Sequence, residues 1–234
     1  MAQKKLVRFA EIETFANVLQ YPKDMKGNWK GFFKNTNPIT LELACGKGEY
    51  ALGLGRMYPH KNLIGVDVKG NRIWKGAKTA LQEKLQNVAF LRTQMDRITQ
   101  YFAPGEVQEI WITFPDPQLR LSKIKKRLTH PKFLRLYQEF LQKDGIVHLK
   151  TDSPDLYNFT KTVIELYGLE LLEDDGDIHK KTVTNPELLI KTHYEALDIA
   201  GSKKVHYLRF RLNGDMPFEK DDILKTMFRD HADD

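Results

Sequence analysis

Ile39-Thr-Leu-Glu-Leu-Ala-Cys-Gly-Lys-Gly-Glu-Tyr-Ala51 carries the strongest structural signal in the chain, because it passes from an apolar run through two glycines into a helical pattern. Glycine lets a backbone approach a ligand closely, and the free N–H groups at a helix start face that ligand. The spacing of Gly46, Gly48 and Ala51 also satisfies G-x-G-x-x-(G/A), the fingerprint of dinucleotide sites. The stretch therefore predicts a nucleotide-type site at a strand end and leaves the kind of nucleotide open.

From residue 39 onward, short apolar runs alternate with longer amphipathic segments. This alternation is typical of βαβ units on a parallel sheet, so we predict an α/β fold. The predicted strands are 39–44, 62–67, 88–91, 107–114, 146–150, 169–173 and 205–212. The predicted helices are 49–58, 70–85, 131–142 and 154–167. Ser153 is the expected N-cap of the last helix, with Pro154 at its first position.

Composition divides the chain into three parts. We predict a basic N-terminal arm over residues 1–38, an α/β domain over 39–214 and a C-terminal tail over 215–234. The arm is rich in Lys, Asn and aromatic residues, and we expect it to pack on the domain. Within the domain, residues 174–204 form a long connection with several turn residues, and connections of that length are often functional.

The bulk numbers exclude several classes of protein. A chain of 234 residues with 41% hydrophobic content is long enough to bury a core. No apolar run approaches the ~20 residues that span a bilayer, and the first residues do not resemble a signal peptide, so we expect no membrane association and a cytoplasmic location. Because Cys45 is the only cysteine and the histidines lack metal-ligand spacing, we expect neither an intramolecular disulfide nor a metal.

Positive charge is concentrated in one part of the chain. The net charge of +6 and the pI of about 9.2 favour a polyanionic partner. The basic residues between positions 118 and 138 are Arg120, Lys123, Lys125, Lys126, Arg127, Lys132 and Arg135. A solvated helix face is the alternative interpretation, but charges of one sign offer no i,i+4 pairs to stabilise such a helix.

Phe114-Pro115-Asp116-Pro117 stands directly before this basic run. Two prolines fix φ and withhold backbone donors, so the chain must leave its strand and turn with Asp116 at the tip. An ordinary turn with a solvated Asp is the alternative. The arrangement predicts a carboxylate at a strand end, beside a cationic surface.

Three further acids bear on the kind of nucleotide. Asp67 ends the second predicted strand, where a carboxylate can bind both hydroxyls of a ribose, in NAD or in S-adenosylmethionine. Glu42 lies inside the first strand, where burial is costly unless it meets a cation or donors, and a methionine ammonium would suit it. Asp96 follows the third strand, from which an acid can reach an adenine amino group. Glu42 and Asp96 favour S-adenosylmethionine, with a satisfied strand-end carboxylate and a helix N-cap as their respective alternatives.

Six short motifs occur in order along the chain. They are Gly46-Lys47-Gly48, Gly65-Val66-Asp67, Phe114-Pro115-Asp116-Pro117, Lys125-Lys126-Arg127-Leu128, Lys150-Thr151-Asp152 and Thr192-His193-Tyr194-Glu195. In combination they resemble the bacterial tRNA (guanine-N7)-methyltransferases over residues 39–212. The resemblance implies a class I S-adenosylmethionine-dependent methyltransferase fold, which is Rossmann-like, with a mostly parallel seven-stranded sheet and its last strand antiparallel. It also implies methylation of N7 of guanosine 46 in the variable loop of tRNA.

The resemblance assigns roles to particular residues. Glu42, Asp67, Asp96 and Asp116 match the family's donor-site positions, and with Gly46 and Gly48 of the turn they are the predicted donor contacts. Asp116 also matches the proposed catalytic acid. Arg120, Asp152, Thr192 and Glu195 match positions that contact the substrate. The chain departs from the family pattern at Gln118, where an aromatic residue is common, and at Arg120, Ser122 and Lys123, where Lys, Arg and His are common.

The chemistry of guanine N7 limits what these residues must do. N7 carries an in-plane lone pair and no proton, so methyl transfer from a sulfonium needs no general base, and positioning should dominate. Asp116 could stabilise the positive charge that appears on the base, or orient the base by accepting its N1–H and amino protons. The second role is better founded, because the usual bidentate Arg contact to O6 and N7 would cover the reacting atom.

The remaining predicted contacts hold the RNA. Lys123, Lys125, Lys126 and Arg127 are predicted to grip phosphates, aided by Lys4, Lys5 and Arg8. Asp152 is a second acceptor beside Asp116, with helix capping as the alternative. Thr192 and Glu195 either bond the substrate or form a capping box.

Two other functions are compatible with parts of the sequence. An NAD(P)-dependent oxidoreductase would rest on the glycines and Asp67, and a non-catalytic RNA-binding protein on a methyltransferase fold would rest on the basic run. The intact glycines and four acids argue against the second rival. The sequence leaves open whether the molecule is a monomer or a homodimer.

Overall fold

Unbroken apolar runs in the middle of the chain form strands that are covered on both faces, as parallel strands usually are. The computed structural model describes residues 2–180, 185–193, 195–197, 201 and 203–230. Its strands are β1 Val18–Gln20, β2 Ile39–Leu43, β3 Asn62–Asp67, β4 Val88–Arg92, β5 Val107–Thr113, β6 Leu141–Thr151, β7 Glu170–Asp175 and β8 His206–Arg211. Its α-helices are α1 Ala2–Ile12, α2 Trp29–Phe33, α3 Glu49–Met57, α4 Gly70–Gln82, α5 Pro131–Gln138, α6 Pro154–Tyr167 and α7 Lys220–Asp230. Every residue of β2 and β3 is buried.

The strands form one sheet in the order β1-β4-β3-β2-β5-β6-β8-β7. Strands β1 to β6 pair in parallel, and β8 runs antiparallel between β6 and β7. The predicted α/β fold, with a mostly parallel sheet and an antiparallel last strand, is confirmed. The chain order reverses between β2 and β5, and open α/β sheets bind ligands beyond the carboxyl ends of the strands at such a point. The glycine turn after β2 and the Asp116 turn after β5 therefore lie side by side.

Within the described residues the sheet has eight strands rather than the seven predicted, because the N-terminal segment contributes β1. This strand of three residues pairs with β4 at the sheet edge. In the same segment, Trp29 is fully buried, stacks on Phe102 with 5.3 Å between ring centroids, and donates from Nε1 to the Tyr101 carbonyl at 2.8 Å. A three-residue edge strand has no periodicity to recognise, because its conformation comes from pairing with β4.

Helices cover both faces of the sheet. Residues of α1, α3 and α4 pack on one face, and residues of α2, α5, α6 and α7 pack on the other. Helix α6 has the predicted bounds, because the Ser153 side chain accepts from the Leu156 N–H and Gly168 ends the helix at φ 64°. Helix α5 ends at Gln138 rather than at residue 142, since β6 already begins at Leu141. None of the helices in the described ranges is long and apolar enough to cross a bilayer.

Candidate active site

The glycine turn after β2 has a backbone that few side chains tolerate. Ala44, Gly46 and Gly48 have φ values of 53°, 54° and 69°. A Cβ on Gly48 would lie 2.3 Å from Cε1 of Phe90, so only glycine fits there. The Asp67 carboxylate at the end of β3 accepts from the Gly46 N–H at 3.0 Å through Oδ2. The predicted donor residues Gly46, Gly48 and Asp67 thus form one rigid unit at the switch point.

Glu42 lies behind this turn and is 3% exposed. Its Oε2 accepts from the Ala51 N–H at the start of α3 at 2.8 Å, and its Oε1 accepts from the Thr113 hydroxyl at the end of β5 at 3.2 Å. Burial raises the pKa of the Glu42 carboxyl to about 8, and these hydrogen bonds oppose the rise. The carboxyl group therefore ties β2, α3 and β5 together, which is the satisfied strand-end arrangement.

A cavity of about 210 Å³ opens beside the turn, at the carboxyl ends of β2, β3 and β4. Its lining residues are Ala44, Asp67, Val68, Thr93, Gln94 and Met95. Asp96 follows directly, but its carboxylate is 57% exposed and forms an ion pair with Lys132. Asp96 does not cap the 3₁₀-helix Met95–Gln100 either, since Gln94 occupies the N-cap position and makes no side-chain hydrogen bond there. The chain just before Asp96 therefore forms part of the cavity wall, whereas the Asp96 side chain points to Lys132 of α5.

The Asp116 turn has the predicted shape and two strained residues. Phe114 and Gln118 have φ values of 45° and 49°, a region that L-residues rarely occupy and that occurs preferentially at functional sites. Asp116 is exposed, and its Oδ1 accepts from the Gln118 N–H at 3.0 Å. Arg127 donates from Nε to the Pro117 carbonyl at 3.0 Å and so braces the turn from below. The carboxylate is thereby presented to solvent on a fixed backbone.

The basic run forms a 3₁₀-helix, Leu121–Lys126, and divides into exposed and buried charges. The exposed cations are Arg120, Lys123, Lys125 and Lys126. Arg127 was predicted to bind phosphate, which requires a position on the surface. The structure corrects this expectation, because Arg127 is only 4% exposed. Its guanidinium lies 4.6 Å above the Phe159 ring, and burial lowers its pKa. Of the other proposed phosphate contacts, Arg8 lies 4.7 Å over the Trp74 ring, and the Lys4 and Lys5 side chains are outside the described residues.

Lys150, at the carboxyl end of β6, belongs to one of the six motifs, but the sequence predicted no role for it. Its side chain is wholly buried, and Nζ donates to the carbonyls of Leu188 and Ile190 at 2.9 and 3.1 Å and to Glu195 Oε2 at 2.9 Å. Burial lowers the pKa of Lys150, and the Glu195 carboxylate opposes this. The sequence feature that could have identified it is a lysine at the end of the apolar run of β6. Lys150 fastens the long connection to the sheet.

Thr192 and Glu195 lie on this fastened connection. The Thr192 hydroxyl accepts from the Glu195 N–H at 3.1 Å, which is one half of a capping box. The other half is absent, since the Glu195 carboxylate bonds Lys150 and its Oε1 lies 3.7 Å from His179 Nε2. Tyr194, the third member of the motif, lies outside the described residues.

Asp152 follows β6 at the same edge and is half-buried. The alternative role of capping α6 belongs to Ser153, whose Oγ accepts from the Leu156 N–H at 3.3 Å. The Thr151 hydroxyl in turn accepts from the Ser153 N–H at 3.1 Å. In the part of the chain that the structure describes, no group of three His, Cys, Asp or Glu residues could hold a metal ion.

Comparison with known proteins agrees with this geometry. The family model Methyltransf_4, described as "Putative methyltransferase", matches residues 36–208. The tRNA (guanine-N(7)-)-methyltransferase of Christiangramia forsetii is 47% identical over 221 residues, covering 90% of this chain and 99% of that protein. The enzyme of the same name from Bacteroides fragilis is 45% identical over 232 residues, covering 95% of this chain and 91% of that protein.

A solved structure shows the same fold at low sequence identity. The 16S rRNA methyltransferase KamB superposes with a TM-score of 0.60 at 14% identity, over 79% of this chain and 92% of that one. At this identity the likeness concerns the fold alone.

Proposed function

The chain belongs to the tRNA (guanine-N(7)-)-methyltransferase family, and from this premise we propose that it transfers a methyl group from S-adenosylmethionine to N7 of guanosine 46 in tRNA. The observation that carries the proposal is the meeting, at one edge of the sheet, of the glycine turn, the exposed Asp116 and the exposed cations of the basic run. Family membership removes the oxidoreductase alternative, and the intact glycine turn argues against a non-catalytic RNA-binding protein.

The residues around the turn fit the methyl donor. Only glycine fits at position 48 of the turn, because a Cβ there would meet the buried Phe90 ring. Asp67 keeps acceptor capacity beyond its two backbone bonds, because a carboxylate offers about four lone-pair sites. We assign ribose recognition to Asp67, and the cavity wall formed by Thr93 to Met95 to the adenine side. Asp96 stays a proposed donor contact, reached only if its carboxylate leaves Lys132.

Glu42 supports the donor site from behind. Its carboxyl group has both oxygens bonded within the protein, so we assign it the task of fixing the start of α3. Burial favours the protonated carboxyl group, and the cationic methionine end of the donor, which is the partner that the sequence suggested, would favour its ionised form. S-adenosylmethionine supplies the methyl group on a sulfonium when it is bound.

Asp116 is the residue we assign to the target base. N7 needs no general base, so the contribution of the protein is alignment, which can lower a barrier by ~7–11 kcal/mol when the geometry is a near-attack one. An exposed carboxylate on a braced turn can accept the guanine N1–H and amino protons and leave N7 uncovered. The same carboxylate would stabilise the positive charge that appears on the base.

The tRNA is the proposed partner, and the exposed cations are its proposed contacts. We assign Arg120, Lys123, Lys125 and Lys126 to phosphates, which gives a salt-dependent affinity. Asp152, Thr192 and Glu195 are proposed to close the substrate side of the pocket, with Glu195 held in place by Lys150. Arg127 takes a supporting role for the Asp116 turn instead of a phosphate contact.

The test is transfer of a labelled methyl group from S-adenosylmethionine to unmodified tRNA containing G46 and to the same tRNA carrying G46A. We expect label on the first alone. Asp116→Asn should lower kcat by ~100-fold or more, since it removes a charge and an acceptor at the reacting base. Asp144→Asn is the matched control, because Asp144 is exposed toward the other end of β6. Label on both tRNAs would contradict the assigned position, and equal effects of the two substitutions would contradict the role of Asp116.

A further inference from the structure

A second cavity, of about 410 Å³, lies between the 3₁₀-helix Leu121–Lys126 and helix α7. Its wall includes His130, which N-caps α5 by accepting from the Lys132 N–H at 3.0 Å. The 3₁₀-helix on one side of this cleft begins five residues after Asp116, and α5, which His130 caps, follows it. The cleft shares no lining residue with the cavity beside the glycine turn.

The inside of the cleft is apolar and partly aromatic. Ile124 and Leu224 are buried at its base, and Leu121 is 39% exposed at its side. Phe228 is half-buried and packs on Phe159 with 5.2 Å between ring centroids, which fixes its ring. Planar bases that leave a stack are generally bound against aromatic and apolar side chains. The inside of the cleft has that character.

The rim of the cleft carries two exposed cations and one exposed carboxylate. Lys125 and Lys225 are exposed on opposite sides of it. Asp221 adds little negative charge, because Arg135 bonds its carboxylate at 2.5 Å. Asp222 is exposed and offers an acceptor, such as a base amino group requires. An apolar floor between two cations is complementary to a single nucleotide, which joins a planar base to a phosphate.

We propose that this cleft binds one unstacked nucleotide next to G46, with its base against Leu121 and Phe228 and its phosphate beside Lys125 and Lys225. The inference rests on the proposed function, because it takes tRNA as the partner. A base that is modified must first leave its contacts, and that step costs free energy. Holding a neighbouring nucleotide apart keeps the variable loop open while G46 occupies the catalytic pocket.

The test fills the cleft and removes the base that would occupy it. Ser122 is an exposed lining residue, so Ser122→Trp fills the cleft, and Thr226→Trp, exposed on α7 outside the lining, is the matched control. Kd is measured for an intact tRNA transcript and for transcripts that lack the base just before or just after G46. For the unsubstituted protein and Thr226→Trp, we expect ~10-fold weaker binding of one abasic transcript. Ser122→Trp should bind intact tRNA ~10-fold more weakly and lose nothing further on that abasic transcript.

Three results would overturn the proposal. The unsubstituted protein could bind all three transcripts equally, or the effects of Ser122→Trp and of base removal could multiply. Ser122→Trp could also change the molecular mass measured by light scattering while leaving Kd unchanged, which would make the cleft a contact between copies of the chain. Methyl transfer is measured separately, so its failure on intact tRNA contradicts the proposed function while the Kd series still decides the role of the cleft.

Discussion

Replacing Lys150 by Met should loosen the connection that carries Thr192 and Glu195. Lys150 is wholly buried, and its ammonium is the shared partner of the Leu188 and Ile190 carbonyls and of the Glu195 carboxylate. Methionine keeps most of the volume and removes all three hydrogen bonds. The Glu195 carboxylate, 7% exposed, would then lose the ammonium at 2.9 Å and keep the half-exposed His179 ring at 3.7 Å.

The expected loss of stability follows from this burial. Removing one member of a buried ion pair costs about 3–5 kcal/mol, because the remaining charge is left uncompensated. The connection can limit this loss by detaching, in which case the packing of Ile190 against Gly53 of α3 is lost instead. Replacing both members by apolar residues is often close to neutral. We therefore expect Lys150→Met/Glu195→Leu to recover most of the free energy of unfolding without recovering tRNA binding.

Urea unfolding and tRNA KM together test this reasoning. Arg56→Met is the control, since it breaks a bidentate ion pair with Glu83 whose members are 47% and 39% exposed. That pair should contribute less than ~1 kcal/mol and leave KM unchanged. Lys150→Met should lower stability several times more and raise the KM for tRNA, with the KM for S-adenosylmethionine least affected. A stability loss for Lys150→Met no larger than that of Arg56→Met, with unchanged KM, would refute the role assigned to the lysine.

Three further predictions concern the turn and the basic run. Burial raises the pKa of Glu42 from 4.5 to about 8, so folding favours its protonated form. The resulting contribution to folding stability is complete below pH 4.5 and is lost as the pH rises to about 8. Between these pH values, Glu42→Gln should make the free energy of unfolding less dependent on pH, by up to ~1.4 kcal/mol per pH unit. Gly48→Ala, whose Cβ would lie 2.3 Å from a ring carbon, should weaken S-adenosylmethionine binding in calorimetry, whereas Gly31→Ala, with open space around it, should not. Lys126→Ala should reduce the slope of log K against log salt for tRNA by about 1, while the buried Arg127→Met should lower the melting temperature and leave the slope unchanged.

The sheet was largely predictable from the sequence, because its central strands are continuous apolar runs and their connections are periodic. Helix α6 was predictable to the residue, since Ser153, Pro154 and Gly168 mark its two ends by capping chemistry. Strand β1 was not predictable, because its conformation is imposed by pairing with β4. The end of α5 was not predictable for the same reason. The helical pattern of the sequence continues past Gln138, but the chain pairs with β5 from Leu141 onward.

The candidate site was predictable as a set of positions and less so as a set of contacts. Asp67 and Asp116 stand at strand ends that topology brings to one edge, so their proximity follows from the fold. Burial does not follow in the same way. Arg127 and Lys126 are adjacent in one basic run, yet only Arg127 turns inward to the Pro117 carbonyl and the Phe159 ring, which are distant in the sequence.

The two most deeply buried ionisable groups of the site have a common task. Glu42 on β2 holds the first turn of α3, and Lys150 on β6 holds the connection that carries Glu195. Neither offers an unbonded atom to a substrate, and both bond backbone groups of the segments that border the pocket. A reaction at N7 requires no proton transfer to form its nucleophile, so accurate placement of donor and base is what the protein must supply. Buried ionisable groups that fix backbone segments, next to an exposed carboxylate that meets the base, are the arrangement this requirement favours.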